Sequence, residues 1–287
     1  MSAWTGGAGS DQGRRFYKMT GSGNDFVFVD GRTQPAEGWT TPEAIRRICA
    51  RGTGVGADGI VVLRPPIDPS ASIAIDYWNS DGSLASLCGN ATLCATRLAV
   101  ELGAATAGDK GFRIETGAGV LGARVVDGMP EFDLQPVTEV QADFASPIGA
   151  QESWIGYAVA GVPHLVVRWA GEGGMDEMPV LSRGRVLRNH PRLPQGANVN
   201  FVGREGGKRW TMRTFERGVE GETLACGTGA VATAILLAAR GEGGLETEIW
   251  TRSGQMLAVR LATDGSRWLP TLRGEGRIVF DGTLVEL

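Results

Sequence analysis

Two stretches of the chain share one pattern of polar and apolar positions. In each, an alternating segment typical of a strand leads into a polar, glycine-containing turn, then to a cysteine followed by glycine, and then to a run of small apolar residues. Such a run predicts a buried helix. The stretches are residues 76–101 and 215–240, and their similarity predicts two related halves, each with one thiol at a helix start.

Short alternating segments fill most of the remaining chain, and glycine turns separate them. Examples are residues 26–30, 72–78, 119–126, 165–169 and 199–202, with a turn predicted over residues 161–164 (GVPH). Two more helices are predicted, one beginning after the N-cap Thr41 and one over residues 179–188. Many antiparallel strands around one long buried helix per half indicate an α+β fold rather than a doubly wound parallel sheet.

Turn signals divide the chain into two halves behind a short extension. Residues 1–15 are small, polar and glycine-rich, so we predict a disordered N-terminal extension. The first half is predicted over residues 16–135 and the second over residues 136–274, with the boundary at Pro136. Residues 275–287 should form a strand that returns to the first half.

The composition of the whole chain excludes several classes of protein. The 287 residues carry a net charge of −4 and no long basic run, so nucleic acid is not an expected partner. No apolar stretch reaches membrane-spanning length, and the first residues lack the apolar core of a secretory signal. We therefore expect a cytoplasmic protein that does not bind a membrane.

The cysteines are too few for a disulfide scaffold in a chain of this length. With only two histidines beside them, no zinc-type spacing occurs, so we expect no metal. The residues are Cys49, Cys88, Cys94, Cys226, His164 and His190. Free thiols in a reducing compartment are the simpler interpretation.

Cys88 and Cys226 each stand at the predicted start of a helix. Unpaired backbone N–H groups and the helix dipole favour negative charge there, so we expect the thiol pKa to be lowered and thiolate to be available. The same N–H groups can hold a carboxylate. Two such thiols facing each other across a cleft could remove a proton from one side of a carbon and return one to the other side.

Eight short motifs, in this order, resemble those of the diaminopimelate epimerase family. The resemblance extends from about Tyr17 to the end of the chain, and the segment around Cys226 is its most specific part. The motifs are residues 21–26 (GSGNDF), 54–59 (GVGADG), 79–82 (NSDG), 88–90 (CGN), 163–164 (PH), 198–202 (NVNFV), 216–218 (ERG) and 222–229 (ETLACGTG).

The resemblance implies two pseudo-symmetric α+β domains with the active site in the cleft between them, a homodimer and no cofactor. It implies an epimerase that interconverts LL- and meso-2,6-diaminopimelate, a step towards lysine and peptidoglycan. Cys88 and Cys226 would be the thiolate and thiol pair, one removing the α-proton and the other protonating the opposite face. His164 and Glu216 would tune the two thiols.

The resemblance also implies which residues bind the substrate. The α-proton of an amino acid is very weakly acidic, so without pyridoxal phosphate the enzyme needs preorganised dipoles at the reacting carboxylate. By resemblance, the backbone at the two helix starts would supply them, and side chains from both halves would hold the other polar groups. The backbone positions are Gly89, Asn90, Gly227 and Thr228, and the side chains are those of Asn24, Asn79, Asn198, Glu216 and Arg217.

Four positions depart from the family pattern. Ala91 and Leu93 stand where the family usually has glycine and arginine, Val162 stands in place of an asparagine, and Gly59 stands where some members carry glutamine. Leu93 and Val162 favour a second hypothesis, in which the same two thiols racemise another amino acid of the proline or histidine type. Against the proline type, Asn90 stands where that enzyme typically has histidine.

Two other classes of protein stay open. A thiol–disulfide oxidoreductase would use Cys88 and Cys226 with a dithiol partner, although the chain has no C-x-x-C motif. A catalytically silent amino-acid-binding protein would need neither thiol, and it would bind its ligand without exchanging the α-proton.

Overall fold

The structure is a computed structural model that describes residues 14–108, 110–144, 148–171, 174–206 and 209–285. These residues form eighteen strands and four helices. The helices are α1 (Pro42–Cys49), α2 (Gly89–Glu101), α3 (Val180–Arg188) and α4 (Gly227–Ala239). The strands are β1 (Arg14–Gly21), β2 (Asn24–Asp30), β3 (Gly59–Arg64), β4 (Ile73–Asn79), β5 (Leu84–Ala85), β6 (Phe112–Thr116), β7 (Gly119–Val126), β8 (Met129–Asp133), β9 (Val140–Gln141), β10 (Glu152–Ala160), β11 (Val162–Trp169), β12 (Asn198–Glu205), β13 (Arg209–Glu216), β14 (Gly221–Thr223), β15 (Glu246–Trp250), β16 (Met256–Asp264), β17 (Arg267–Arg273) and β18 (Arg277–Leu284).

The strands of the two halves pair in the same order and with the same directions. In the first half β1 is antiparallel to β2, β2 parallel to β3, β3 antiparallel to β4 and β4 parallel to β6, and β7 and β8 follow antiparallel. The second half repeats this series of strand directions in the same order, with β10, β11, β12, β13, β15, β16 and β17. The predicted α+β fold with two pseudo-symmetric halves is confirmed.

Three further pairings join the halves into one continuous ladder. β8 pairs with β17, so the last strand of each repeat lies against the other. β18, which follows the second half, pairs with β1, the first strand of the first half. The short β9, which follows the first half, pairs with β10, the first strand of the second half. The residue bounds predicted for the two halves stay a prediction.

Helices α2 and α4 lie at the buried centres of the two halves. α2 packs against β1, β7 and β8, and α4 against β10, β11 and β16. Ten residues of each thirteen-residue helix are buried, so neither helix has a broad solvent-facing stripe. Because strands surround both helices, the position of each helix start is fixed by packing on several sides.

The first strand begins earlier than the sequence predicted. Arg14 and Arg15 pair with Leu284 and Thr283 of β18, so β1 begins at Arg14 rather than at Phe16. The last residues of the predicted disordered extension are therefore held in the sheet. Residues 1–13 lie outside the described part of the chain.

The strand that carries His164 also begins earlier than predicted. Gly161 has a φ of +75°, a conformation that glycine adopts without strain, and this permits a tight hairpin in which Val162 pairs with Ala160. The strand β11 therefore begins at Val162 rather than at Leu165. His164 lies inside a strand and not in the turn that its GVPH sequence suggested.

Candidate active site

Cys88 and Cys226 are the N-cap residues of α2 and α4, as the sequence predicted. Both have extended backbone conformations, with φ of −132° and −139°. The carbonyl of Cys88 accepts the first helical hydrogen bond from Thr92 N at 2.9 Å, and that of Cys226 accepts from Ala230 N at 2.9 Å. The N–H groups of residues 89–91 and 227–229 precede these bonds, so they have no acceptor within their helices.

The two helix starts meet at their first glycines. A Cβ placed on Gly89 would lie 3.6 Å from Gly227 Cα, and a Cβ on Gly227 would lie 2.8 Å from Leu272 Cδ2. A side chain at Gly227 would therefore force the helix ends or the core beneath them to move. The two glycines bring the first turns of both helices, and the thiols that precede them, to one place between the halves.

Both thiols line one cavity of about 380 Å³ between the halves. Every residue that the sequence assigned to catalysis or substrate binding lines this cavity, whereas His164, assigned to tuning a thiol, does not. The predicted residues in its wall are Asn24, Asn79, Cys88, Gly89, Asn90, Asn198, Glu216, Arg217, Cys226, Gly227 and Thr228. The wall also includes residues that the sequence analysis did not assign, among them Tyr77, Gln135 and Val162.

A chain of hydrogen bonds orients two asparagines at the start of α2. Asn90 Nδ2 donates to Asn24 Oδ1 at 2.6 Å, and Asn24 Nδ2 donates to Asp58 Oδ2 at 2.9 Å. Arg51 donates to Asp58 Oδ1 at 2.7 Å and to Asp25 at 2.6 Å. Asn90 Oδ1 is buried and has no hydrogen-bond partner among the described residues, so it is an acceptor available in the cavity wall.

Polar groups of the second half form the opposite side of the cavity. Asn198 Oδ1 accepts a hydrogen bond from Arg217 N at 2.8 Å, and this bond fixes the turn that presents the Arg217 guanidinium. Glu216 ends β13 beside it, and burial raises the pKa of the Glu216 carboxyl. Asn79 lies across the cavity in the first half, where its amide donates to Ser83 Oγ at 3.0 Å.

The thiol pKa values differ from the expectation for a helix start. Burial, to which the charge of Glu216 adds, raises the pKa of Cys88 to about 11 and that of Cys226 to about 12. Backbone N–H groups, such as that of Ala91 at Cys88, act in the opposite direction. The expected lowering of the thiol pKa is therefore wrong for the protein alone, because the loss of solvation outweighs the helix start.

His164 lies in a buried polar cluster and does not line the cavity. Asn200 Nδ2 lies 3.1 Å from His164 Nδ1, and Thr214 Oγ1 donates to Asn200 Oδ1 at 3.0 Å. Because the Asn200 amide donates to Nδ1, the imidazole proton is on Nε2, which has no partner among the described residues. Burial lowers the pKa of His164 to about 3, so the ring is neutral at pH 7. Its predicted role in tuning a thiol stays a prediction.

The strand register shows that the two thiols stand over different surroundings. Strands β3 and β4 of the first half correspond to β12 and β13 of the second. In this correspondence Val61 and Tyr77 take the places of Asn200 and Thr214. Sequence reasoning missed both Asn200 and Tyr77. Strand alternation could have found them, because Asn200 lies two residues beyond Asn198 and Tyr77 two residues before Asn79, on the same strand faces.

His164 should make the folded state less stable in mild acid. The unfolded state takes up a proton at this ring near its ordinary pKa of 6.5, whereas the native ring stays neutral until about pH 3. Because the unfolded state binds more protons in this window, the free energy of unfolding falls as the pH falls. Between pH 7 and pH 5 the loss from this residue should be about 2 kcal/mol.

Urea unfolding of the wild type and of His164→Gln at pH 7 and pH 5 measures this effect. In the variant, the free energy of unfolding should change much less between pH 7 and pH 5, whatever its value at pH 7. An equal decrease in both proteins would show that other groups cause it.

Other kinds of site find no support in the described part of the chain. It contains no group of three or more His, Cys, Asp or Glu side chains that could hold a metal ion. None of its helices is long and apolar enough to cross a membrane.

Two solved structures share the fold of this chain. A hydroxyproline epimerase from Agrobacterium vitis with bound trans-4-hydroxy-L-proline superposes with a TM-score of 0.68 at 19% identity, covering 93% of this chain and 91% of that one. A phenazine biosynthesis protein of the PhzF family from Bacillus anthracis superposes with a TM-score of 0.71 at 16% identity, covering 96% and 100%. These likenesses establish the two-domain fold.

Sequence similarity establishes the family. The family described as Diaminopimelate epimerase matches residues 16–138 and 157–269. A diaminopimelate epimerase from Gemmatimonas aurantiaca is 50% identical over 282 residues, which cover 95% of this chain and 99% of that protein. Together with the repeated fold and the paired cysteines at its centre, these matches show that the chain belongs to the diaminopimelate epimerase family.

Proposed function

We propose that the protein is a cofactor-independent epimerase that interconverts LL- and meso-2,6-diaminopimelate, a step in lysine and peptidoglycan precursor biosynthesis. The single observation that supports this most strongly is the meeting of the Cys88 and Cys226 helix starts at one cavity. The side chains that would bind the substrate line the same cavity. The family of the chain and its 50% identity to a diaminopimelate epimerase support the choice of substrate.

The reacting carboxylate binds between the two helix starts. The N–H groups of Gly89, Asn90, Gly227 and Thr228 have no acceptor within their helices and suit an anion. As the α-proton leaves, negative charge spreads onto this carboxylate, and the same fixed dipoles stabilise it. Burial of the site strengthens this interaction because little water screens it.

The two thiols exchange protons with opposite faces of the reacting carbon. One begins as thiolate, takes the α-proton and becomes a thiol, while the other gives its proton to the opposite face and becomes thiolate. Both thiols have a raised pKa in the protein alone, so thiolate formation needs a positive charge nearby. The α-ammonium of the substrate supplies one, because an adjacent cation lowers a thiol pKa.

The far end of the substrate binds at the second half's side of the cavity. There the carboxylate of Glu216 pairs with the distal ammonium, and the guanidinium of Arg217 pairs with the distal carboxylate. The amides of Asn79 and Asn198 complete the clamp. A substrate with an amino-acid group at each end suits this pair of opposite charges.

Proton NMR in deuterated water tests the proposal. Reduced protein with LL-diaminopimelate and no added cofactor should remove the α-proton signal of the substrate and produce the meso isomer. A protein with free thiols that leaves the signal unchanged would overturn the proposal.

A second candidate is racemisation of another amino acid by the same thiols. Val162 favours it, because this apolar side chain lines the cavity where the family usually has an amide. The same NMR experiment across a panel of amino acids separates the two candidates. Exchange with another amino acid, and none with diaminopimelate, would favour the second.

The proposed enzyme is a homodimer and is located in the cytoplasm. The support for a dimer is β18, which pairs with β1 on one side and has Val279 and Phe280 each 48% exposed. Such an apolar edge strand suits pairing with a second copy. Analytical ultracentrifugation should give about twice the chain mass of 30.3 kDa; a single species of one chain mass at micromolar concentration would contradict it.

A further inference from the structure

Gly59 lies opposite Asn79, a residue of the cavity wall, and the ring of Tyr77 occupies the space beside this glycine. A Cβ placed on Gly59 would lie 2.4 Å from the carbonyl oxygen of Trp78 and 2.6 Å from Cε2 of Tyr77. No side chain fits at this position without moving the strand β4. The ring of Tyr77 therefore occupies the space that a side chain at residue 59 would need.

The register of β3 and β4 gives the direction in which this ring extends. Tyr77 is opposite Val61, and Gly59 is opposite Asn79, so all four residues share one face of the sheet. The Tyr77 ring reaches over Gly59, and its Cζ atom, which carries the hydroxyl, lies 3.1 Å from the Gly59 Cβ position. The ring therefore points along the strands towards their ends, where Asn79 lines the cavity.

The ring itself is firmly held. Tyr77 is 8% exposed, and its ring meets that of Phe26 edge to face at a centroid distance of 5.9 Å. The hydroxyl, in contrast, makes no hydrogen bond to any of the described residues, although a buried tyrosine hydroxyl usually has a partner. Tyr77 and Cys88 both line the cavity, so this unpaired hydroxyl belongs to the wall around the reacting carbon.

The groups of the substrate determine what this hydroxyl binds. The helix starts offer only N–H donors, which suit the carboxylate, so the ammonium on the same carbon needs acceptors. Asn90 Oδ1 is a buried acceptor without a partner among the described residues. The Tyr77 hydroxyl is a second acceptor free of hydrogen bonds to the described residues, and both residues line the cavity. Accepting from an ammonium would satisfy both.

Building on the proposed function, we infer that the Tyr77 hydroxyl accepts a hydrogen bond from the α-ammonium of the reacting end and, with Asn90 Oδ1, sets its orientation. Tyr77 is then a specificity-determining residue in the place of the side chain that Gly59 lacks. It selects substrates with a free amino group on the reacting carbon.

Tyr77→Phe tests this inference, because it removes the hydroxyl and keeps the ring against Phe26. The kcat/KM for diaminopimelate should fall about 10- to 100-fold, as expected for a lost hydrogen bond to a charged group, with an unchanged melting temperature. Tyr17→Phe is the matched control, since Tyr17 lies in β1 and does not line the cavity. It should keep the wild-type kcat/KM.

Inhibition by pimelate identifies the group that the hydroxyl contacts. Pimelate has both carboxylates and no amino group, so its inhibition constant should be the same for the wild type and Tyr77→Phe. A wild-type kcat/KM in Tyr77→Phe would overturn the inference and leave the proposed function intact, as would a parallel loss of pimelate binding. Absence of any reaction in the wild type would overturn the proposed function and this inference with it.

Discussion

Replacing either Cys88 or Cys226 by alanine should abolish epimerisation in both directions. Each half contributes one thiol, and each thiol serves one face of the reacting carbon, so neither can act for the other. General acid and base groups are each worth about 10²- to 10⁴-fold in rate, so the loss in kcat should reach about 10⁴-fold in each variant. Continuous assays from LL- and from meso-diaminopimelate measure it.

Cys94 supplies the matched control for both variants. It lies on α2 six residues after Cys88, is completely buried in the core and does not line the cavity. Cys94→Ala should keep most of the wild-type kcat while losing some stability, because it leaves a small void. Normal turnover by Cys88→Ala or Cys226→Ala would show that one base is enough.

Replacing Gly229 by alanine should cost activity and stability together. The added methyl would lie 2.2 Å from Asn200 Oδ1 and 3.2 Å from Cys226 Sγ, so the first turn of α4 or the Asn200 side chain must move. Overpacking of this kind costs about 1–3 kcal/mol. A thiol displaced by about 1 Å can lose about 100-fold in rate, and we expect a decrease of that order in kcat.

The first half offers the matched control for this change. Ala91 lies three residues after Cys88, as Gly229 lies three residues after Cys226, and Val61 stands where the second half has Asn200. Ala91→Gly should cost about 2 kcal/mol, through helix propensity and the loss of a buried methyl, and should change kcat only slightly. Equal kinetics of Gly229→Ala and the wild type would show that the α4 start tolerates movement.

Local patterns were sufficient to predict the fold class and the positions of the two thiols. The cysteine–glycine pairs and the small apolar runs after them are short-range signals, and Cys88 and Cys226 are indeed the N-caps of buried helices. The alternating segments located most strands, because alternation depends on neighbouring residues only. The order in which strands pair was less accessible: β8 pairs with β17, and no local pattern in either strand indicates this contact between the halves.

Properties that depend on tertiary burial could not be predicted in the same way. A helix start alone lowers a thiol pKa, whereas the core around Cys88 and Cys226 raises it, and only the fold shows which effect is larger. The same holds for Tyr77. Its sequence neighbours indicate an ordinary core tyrosine, and its place in the cavity wall depends on the absent side chain of Gly59 in the adjacent strand.

The origin of the product's α-hydrogen tests the two-thiol mechanism most directly. The reaction starts from pure LL-diaminopimelate in deuterated water and is stopped at low conversion, and the label in each isomer is measured. If Cys88 and Cys226 serve opposite faces, the new meso isomer should carry deuterium at the reacting carbon while the remaining LL isomer keeps protium. A meso product that retains the substrate's own proton would contradict the mechanism, because a single base would then have moved that proton from one face to the other.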